Sequence, residues 1–160
     1  MIAVGSTAPD FTLKDQNNQV VRLAELLEQQ AVLLVFYPLA FTGLCSGELQ
    51  QLEQTKQRYA DAGVTVLTVS VDSVYSHKVF SEREGYTARM LADFWPHGQV
   101  AQAYGVFNDT AGFADRGTFL IGRDGVVRFA EHCEPGKSRN QDDWLAAVAA
   151  LAAESASAGA

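Results

Sequence analysis

The longest uninterrupted apolar run in the chain, Ala31 to Tyr37, reads Ala-Val-Leu-Leu-Val-Phe-Tyr with no alternation, the pattern of a central strand covered on both faces. Pro38 follows, and with no N–H to give to a ladder it ends the strand. From about Gly43 to Asp61 the residues Leu49, Leu52 and Tyr59 fall on one helical face, and Val64 to Val71 is again β-branched and apolar. Strand, helix and strand in this order predict a right-handed parallel crossover. Upstream, Phe11 to Leu13 and Val20 to Leu23 flank the polar cluster Asp15-Gln16-Asn17-Asn18, which predicts an N-terminal β-hairpin. Downstream, helices are expected around Tyr75 to Glu84 and Val100 to Tyr104, with a short strand near Met90 to Ala92 between them. Thr118 to Ile121 and Val126 to Glu131 join through Arg123-Asp124-Gly125, where Asp-Gly supplies the positive φ angles of a tight turn. Gln141 to Ala152 sets Trp144, Leu145, Val148 and Leu151 on one side, a terminal amphipathic helix. The pattern as a whole predicts an α/β fold, a mixed central sheet flanked by helices.

Composition narrows the picture. With 160 residues, 48% hydrophobic, the chain carries enough apolar material for one core, and residues 1–152 read as a single domain followed by an Ala/Ser/Gly tail over 153–160, expected to be a flexible, frayed spacer. A formal charge of −7, without any run of Lys or Arg, argues against nucleic acid and anionic membranes as partners. No basic leader and no apolar stretch of membrane-spanning length is apparent, which reads as cytoplasmic. The two cysteines, Cys45 and Cys133, form neither a CxxC nor a metal-ligand array, so no metal or cofactor is expected and their interest is reactivity.

The candidate chemistry lies in Pro38-Leu39-Ala40-Phe41-Thr42-Gly43-Leu44-Cys45-Ser46-Gly47-Glu48. Thr42 suits the N-cap of the following helix, which makes Cys45 the third helical residue, where an ordinary capping box places Glu or Gln. A helix start carries roughly half a positive elementary charge and favours a thiolate there over a thiol. Gly43 and Gly47, one turn apart, leave bare backbone beside the sulfur and weaken the turn by roughly 1 kcal/mol each relative to Ala, which predicts that it unwinds after reaction. Against this stands the commoner fate of a free cysteine, a small buried hydrophobe.

Pro38-x-x-x-Thr42-x-x-Cys45 matches the active-site motif of the peroxiredoxins, the alkyl hydroperoxide reductase/thiol-specific antioxidant family, and the likeness extends over nearly the whole chain. Ala8-Pro9-Asp10-Phe11-Thr12-Leu13 resembles the family's opening strand, and Arg116-Gly117-Thr118-Phe119 the segment with its active-site arginine. Leu39 to Gly43, Asp93-Phe94-Trp95-Pro96-His97-Gly98 and Ala103-Tyr104-Gly105-Val106-Phe107 most resemble the one-cysteine alkyl hydroperoxide reductase E clade. The resemblance implies a thioredoxin-like fold and a thiol-dependent peroxidase acting on hydrogen peroxide, organic hydroperoxides and peroxynitrite in antioxidant defence. It makes Cys45 the peroxidatic nucleophile that becomes a sulfenic acid. Thr42 would orient the substrate oxygen, Arg116 would stabilise the thiolate and the leaving oxygen, and Pro38 would shield the sulfur. The turn around Gly43, with backbone N–H groups of Leu44 and Cys45, would bind the oxygens, while Glu48 would pair with a nearby arginine. The implied partners are a hydroperoxide, a thiol reductant (a low-molecular-weight thiol, a glutaredoxin-like protein or thioredoxin) and a second copy in a homodimer.

Cys133, in Glu131-His132-Cys133-Glu134-Pro135, is open to two readings, an incidental thiol or a resolving cysteine; it lacks the Val-Cys-Pro context of typical two-cysteine enzymes. His77, His97 and His132 lie in polar surroundings and read as surface residues, and Phe94 and Trp95 suit either a core or a dimer contact. Three rival functions remain: a thiol-disulfide oxidoreductase, which would need a second cysteine near Cys45 and a proline before Thr118; a cysteine hydrolase, for which no histidine has a supporting context; and a peroxiredoxin-like chaperone.

Overall fold

The computed structural model describes residues 1–158. In chain order it contains β1 (Thr12–Lys14), β2 (Val20–Arg22), α1 (Leu23–Leu27), β3 (Ala31–Phe36), α2 (Gly43–Asp61), β4 (Val64–Ser70), α3 (Val74–Glu84) and β5 (Arg89–Ala92). There follow α4 (Gln99–Ala103), β6 (Phe107–Asn108), β7 (Phe113–Ala114), β8 (Arg116–Ile121), β9 (Val127–Cys133) and α5 (Gln141–Ala158). Seven strands form one mixed sheet in the order β2-β1-β5-β4-β3-β8-β9, with β3, β4 and β5 parallel and β8 and β9 antiparallel.

All six residues of β3 are buried because both faces of the sheet are covered, which is why the strand has no polar alternation. Val32, Leu34 and Phe36 face a core shared with α1, α4 and Phe119. Leu33 and Val35 face the opposite core, where α2 and α5 contribute Leu52, Tyr59, Trp144 and Val148. Strand β8 runs antiparallel to β3, Val35 opposite Thr118, so its first residue, Arg116, arrives at the end of the sheet where β3 hands over to α2.

The N-terminal hairpin forms as predicted, with Leu13 opposite Val21 and Asn18 at φ 60° in its turn. Gly125, at φ 79°, closes the β8–β9 hairpin. The short elements α1 and β6–β7 are absent from the sequence reading. Helix α5 continues to Ala158, past Ala152, through much of the segment expected to fray. Ala153, Glu154 and Ala156 are good helix formers, and Glu154 pairs with Arg128 at 3.0 Å. Gly159 and Ala160 lie outside the described residues.

Candidate active site

The site begins where the β3 ladder runs out. The Tyr37 N–H still bonds Val69 O at 3.0 Å, and the buried Pro38 then ends the pairing. Residues 38–42 form a strap across the sheet end. The Ala40 N–H donates to Asp72 Oδ2 at 2.9 Å, and Phe41 takes φ 67°, a left-handed conformation that a bulky residue holds only when its surroundings enforce it.

Thr42 occupies the N-cap with φ −94° and ψ 147°, and Cys45 is the third residue of α2, as the spacing predicts. The expected cap bond is not made. The Thr42 hydroxyl donates instead to Leu39 O at 2.8 Å, because the left-handed turn at Phe41 brings that carbonyl beneath it. The first helical bond runs from Ser46 N–H to Thr42 O at 2.9 Å, so the N–H groups of Gly43, Leu44 and Cys45 precede the ladder and the Thr42 side chain accepts none of them. Thr42, Gly43 and Leu44 are exposed, whereas Cys45 is fully buried among Tyr37, Ala40, Leu49 and Phe80.

Arg116 reaches the sulfur from the sheet. Its Nη2 donates to Cys45 Sγ at 3.2 Å, its Nη1 to Glu48 Oε1 at 2.7 Å and its Nε to Pro135 O at 2.8 Å, so each of its three nitrogens is engaged. Glu48, one turn beyond Cys45, pairs with two arginines. Arg139 Nη2 and Nε bond its carboxylate at 2.7 and 2.9 Å, and the Arg139 N–H adds a third bond at 3.2 Å. Burial pushes the Glu48 carboxyl up, but hydrogen bonding and charge from Arg139, with the charge of Arg116, outweigh it and hold the group below its ordinary value. Gln141 Nε2 fixes the Glu48 carbonyl at 2.9 Å, and Arg139 Nη1 ties the cluster to β8 through Gly117 O and Thr118 Oγ1, both at 3.0 Å.

Arg139 and Gln141 are missing from the sequence reading. They meet Glu48 only through the packing of the start of α5 and the residues leading into it onto α2, which no local pattern announces. Also missed is the support under the strap. His77, expected at the surface, is completely buried, with Nε2 at 3.0 Å from Tyr37 Oη and 2.7 Å from Ser70 Oγ, while Ser70 Oγ donates to Asp72. Burial drives His77 down to about 4, the charge of Asp72 and the Met90 backbone only partly opposing, so it is neutral at physiological pH. His77 lies on the buried face of α3 with Phe80, which packs against Tyr86. His97 and His132 are exposed, as expected.

Cys133 lies on β9 directly opposite Arg116 and is half-buried. Burial, then the charges of Glu131 and Glu48, push its thiol up, with Arg139 and Lys137 opposing. Among the described residues no cluster of His, Cys, Asp or Glu could hold a metal ion. A buried sulfur that receives a guanidinium N–H at the start of a helix is placed to carry negative charge and to attack an electrophile, and the neighbouring unspent N–H groups are placed to receive oxygen atoms.

Sequence and structure comparisons agree with this chemistry. The AhpC/TSA family model matches residues 4–130, and the chain belongs to that family, the peroxiredoxins. It is 51% identical over 153 residues to the alkyl hydroperoxide reductase E of Mycobacterium tuberculosis and of Mycobacterium bovis, covering 96% of this chain and all of theirs. It is 34% identical to a selenocysteine-containing peroxiredoxin of Peptoclostridium acidaminophilum, over 94% of this chain and 78% of that protein. The crystal structure of Peroxidoxin BcpB from Mycobacterium tuberculosis superposes with a TM-score of 0.83 at 28% identity, covering 94% and 99% of the two chains. The reduced 2-Cys peroxiredoxin of Plasmodium vivax superposes equally well at 26% identity, over 94% and 82%. The protein is therefore a peroxiredoxin enzyme with the thioredoxin-like fold expected from its element order.

Proposed function

We propose that Cys45 is the peroxidatic residue and reduces hydroperoxides through a sulfenic acid. The observation that carries this is the 3.2 Å bond from Arg116 Nη2 to a buried Cys45 Sγ in the first turn of α2. The Cys45 thiolate attacks the outer oxygen of ROOH, the O–O bond breaks, the cysteine becomes a sulfenate, and the departing oxygen leaves as ROH with the peroxide's own proton. The N–H groups at the start of α2, by Gly43 and Leu44, and the Arg116 fork face the charge that builds on the two oxygens. Thr42 orients the incoming oxygen, Pro38 screens the sulfur from water, and Glu48 acts through Arg116 as a positioning residue.

An external thiol then reduces the sulfenate in a one-cysteine cycle, supported by the Arg116 side chain spanning the gap between Cys45 and the strand position of Cys133. The reductant is a low-molecular-weight thiol, a glutaredoxin-like protein or thioredoxin, and the substrate range takes in hydrogen peroxide, organic hydroperoxides and peroxynitrite. Tyr75, Phe94 and Trp95, exposed at 83, 53 and 80%, with Phe41 of the strap, supply the apolar face for a homodimer. No described helix is long and apolar enough to cross a membrane.

The test is mass spectrometry after mixing with one equivalent of hydrogen peroxide. The Cys133→Ser protein should gain one oxygen on Cys45 and lose it on adding thiol. Cys45→Ser should leave the peroxide unconsumed; peroxide turnover by Cys45→Ser at the native rate would overturn the assignment.

A further inference from the structure

We propose that Glu131 is a positioning residue for the peroxidatic step: through Thr118 and Trp144 it holds Arg139 on Glu48, and through Glu48 it aims Arg116 at Cys45. The inference rests on the reading of Cys45 as the reacting thiol and extends the site to β9 and the C-terminal helix.

Arg116 takes its direction from Glu48. Its Nη1 donates to Glu48 Oε1 at 2.7 Å, the same oxygen that accepts from Arg139 Nη2 at 2.7 Å. Arg139 adds its Nε and its backbone N–H on the other oxygen, Oε2, at 2.9 and 3.2 Å, so the carboxylate lies where Arg139 puts it. A guanidinium is planar and its donors point in fixed directions. Turning the carboxylate therefore turns the Arg116 fork, and with it the Nη2 that meets the sulfur at 3.2 Å.

Arg139 lies in the irregular connection between β9 and α5, where no ladder fixes its place, yet its side chain is fully buried. Strand β8 and helix α5 receive the part of the guanidinium that Glu48 does not take. Nη1 donates to Gly117 O and to Thr118 Oγ1, both at 3.0 Å, and Cζ stands over the Trp144 ring, 5.3 Å from its centroid.

One oxygen orients both the hydroxyl and the ring. Glu131 Oε1 accepts the Trp144 Nε1–H at 3.0 Å and the Thr118 hydroxyl at 3.2 Å. A hydroxyl has a single proton, and with it committed to Glu131, Thr118 presents lone pairs to Arg139 Nη1. The indole likewise has a single N–H, and with it tied to β9 the face beneath Arg139 keeps its angle. The sheet brings these groups together, because Glu131 is the cross-strand partner of Thr118. Trp144 comes from α5, one turn after Gln141, whose Nε2 holds the Glu48 carbonyl at 2.9 Å. Thr118, Trp144, Arg139, Glu48 and Arg116 are each at most 6% exposed, so the bonds that link Glu131 to the sulfur are made with little competition from water.

Charge, packing and positioning by Glu131 have different consequences for the thiol. Loss of a negative charge, acting through space, makes a Cys45 thiolate easier to form. Loss of the acceptor frees Thr118 and Trp144, slackens the aim of Arg116 and makes the thiolate harder to form. A loss of packing lowers the melting temperature and leaves the titration of the thiol where it was.

The test uses the full chain with Cys133→Ser as parent, so that Cys45 is the one thiol read. The pH dependence of Cys45 alkylation by iodoacetamide and the stopped-flow rate of hydrogen peroxide consumption are compared for the parent, Glu131→Leu and Glu131→Gln. Glu131→Leu should raise the alkylation midpoint by about one pH unit and slow peroxide reduction about tenfold at pH 7, whereas Glu131→Gln, whose amide oxygen can still accept both bonds, should stay within about threefold of the parent. Equal shifts in the two variants, in either direction, would make Glu131 a charge alone and overturn the inference, as would an unchanged midpoint beside a lowered melting temperature. If Glu131→Leu does not fold, Thr118→Val, which keeps the β-branched shape and lacks the hydroxyl, should show the same rise and Thr118→Ser should not; equal profiles for that pair overturn it. A parent protein whose Cys45 consumes no peroxide refutes the assignment of Cys45 itself, a failure distinct from variants that titrate like an active parent.

Discussion

Arg116 divides its donors among a carbonyl, a carboxylate and a sulfur, so its geometry matters as much as its charge. Lysine would keep the charge and lose the fork. Arg116→Lys should slow Cys45 oxidation by about 10- to 100-fold, the equivalent of one charge-assisted hydrogen bond of roughly 1.5–3 kcal/mol, as read by stopped-flow peroxide consumption. Glu48→Gln strands two buried guanidinium groups and should cost about 3–5 kcal/mol in urea unfolding. The acid limb of stability has two parts. His77 is depressed from 6.5 to about 4, so its contribution is complete above pH 6.5 and is lost as pH falls toward 4, where the unfolded chain binds a proton that the folded one refuses. The lowered carboxyl of Glu48 adds a further loss below its ordinary 4.5. Melting temperatures across this range should show the first loss flattened in His77→Gln and the second retained. At this scale the sequence reveals Cys45, Thr42, Pro38 and, through a four-residue match, Arg116. It hides Arg139, Asp72 and His77, whose surroundings are built by segments distant in the chain.

Among the elements, the strap of residues 38–42 depends on its anchors. Asp72 Oδ2 takes the Ala40 N–H and the Ser70 hydroxyl together, and with the Thr42–Leu39 bond it keeps Phe41 in its left-handed conformation. Removing the acceptor with Asp72→Ala should slow peroxide reduction about tenfold while the circular dichroism spectrum is retained. Asp72→Asn, whose amide oxygen can still accept both bonds, should restore most of the rate; equal losses in the two variants would show that the anchor does not set the site. Long elements are legible because β3, β4 and α2 each carry a clear period or an unbroken apolar run. The detail at their junctions is not. That Thr42 bonds backward to Leu39 rather than forward into the helix follows from a single φ angle at Phe41, and no residue type encodes it unambiguously.

For the molecule as a whole, Val20, Tyr75, Phe94 and Trp95 line one surface groove and form an exposed apolar face on an acidic protein. If a second copy covers this face, Tyr75→Glu combined with Trp95→Glu should convert the sedimenting species from dimer to monomer. A wild-type protein that sediments as a monomer at all accessible concentrations would remove the dimer.

The buried pairing of Glu48 with Arg116 and Arg139 also has an arithmetic of its own. Two cations against one carboxylate leave a surplus of one positive charge beside the sulfur. In the proposed cycle a Cys45 thiolate cancels it, whereas protonation of the sulfenate to the neutral sulfenic acid leaves it uncancelled. If the one-cysteine cycle proposed above holds, each turnover switches the local field on when an anionic thiol is to be recruited, and off again once that thiol has reduced Cys45. Added salt should accordingly slow the recycling half of the reaction with small anionic thiols more than with neutral ones.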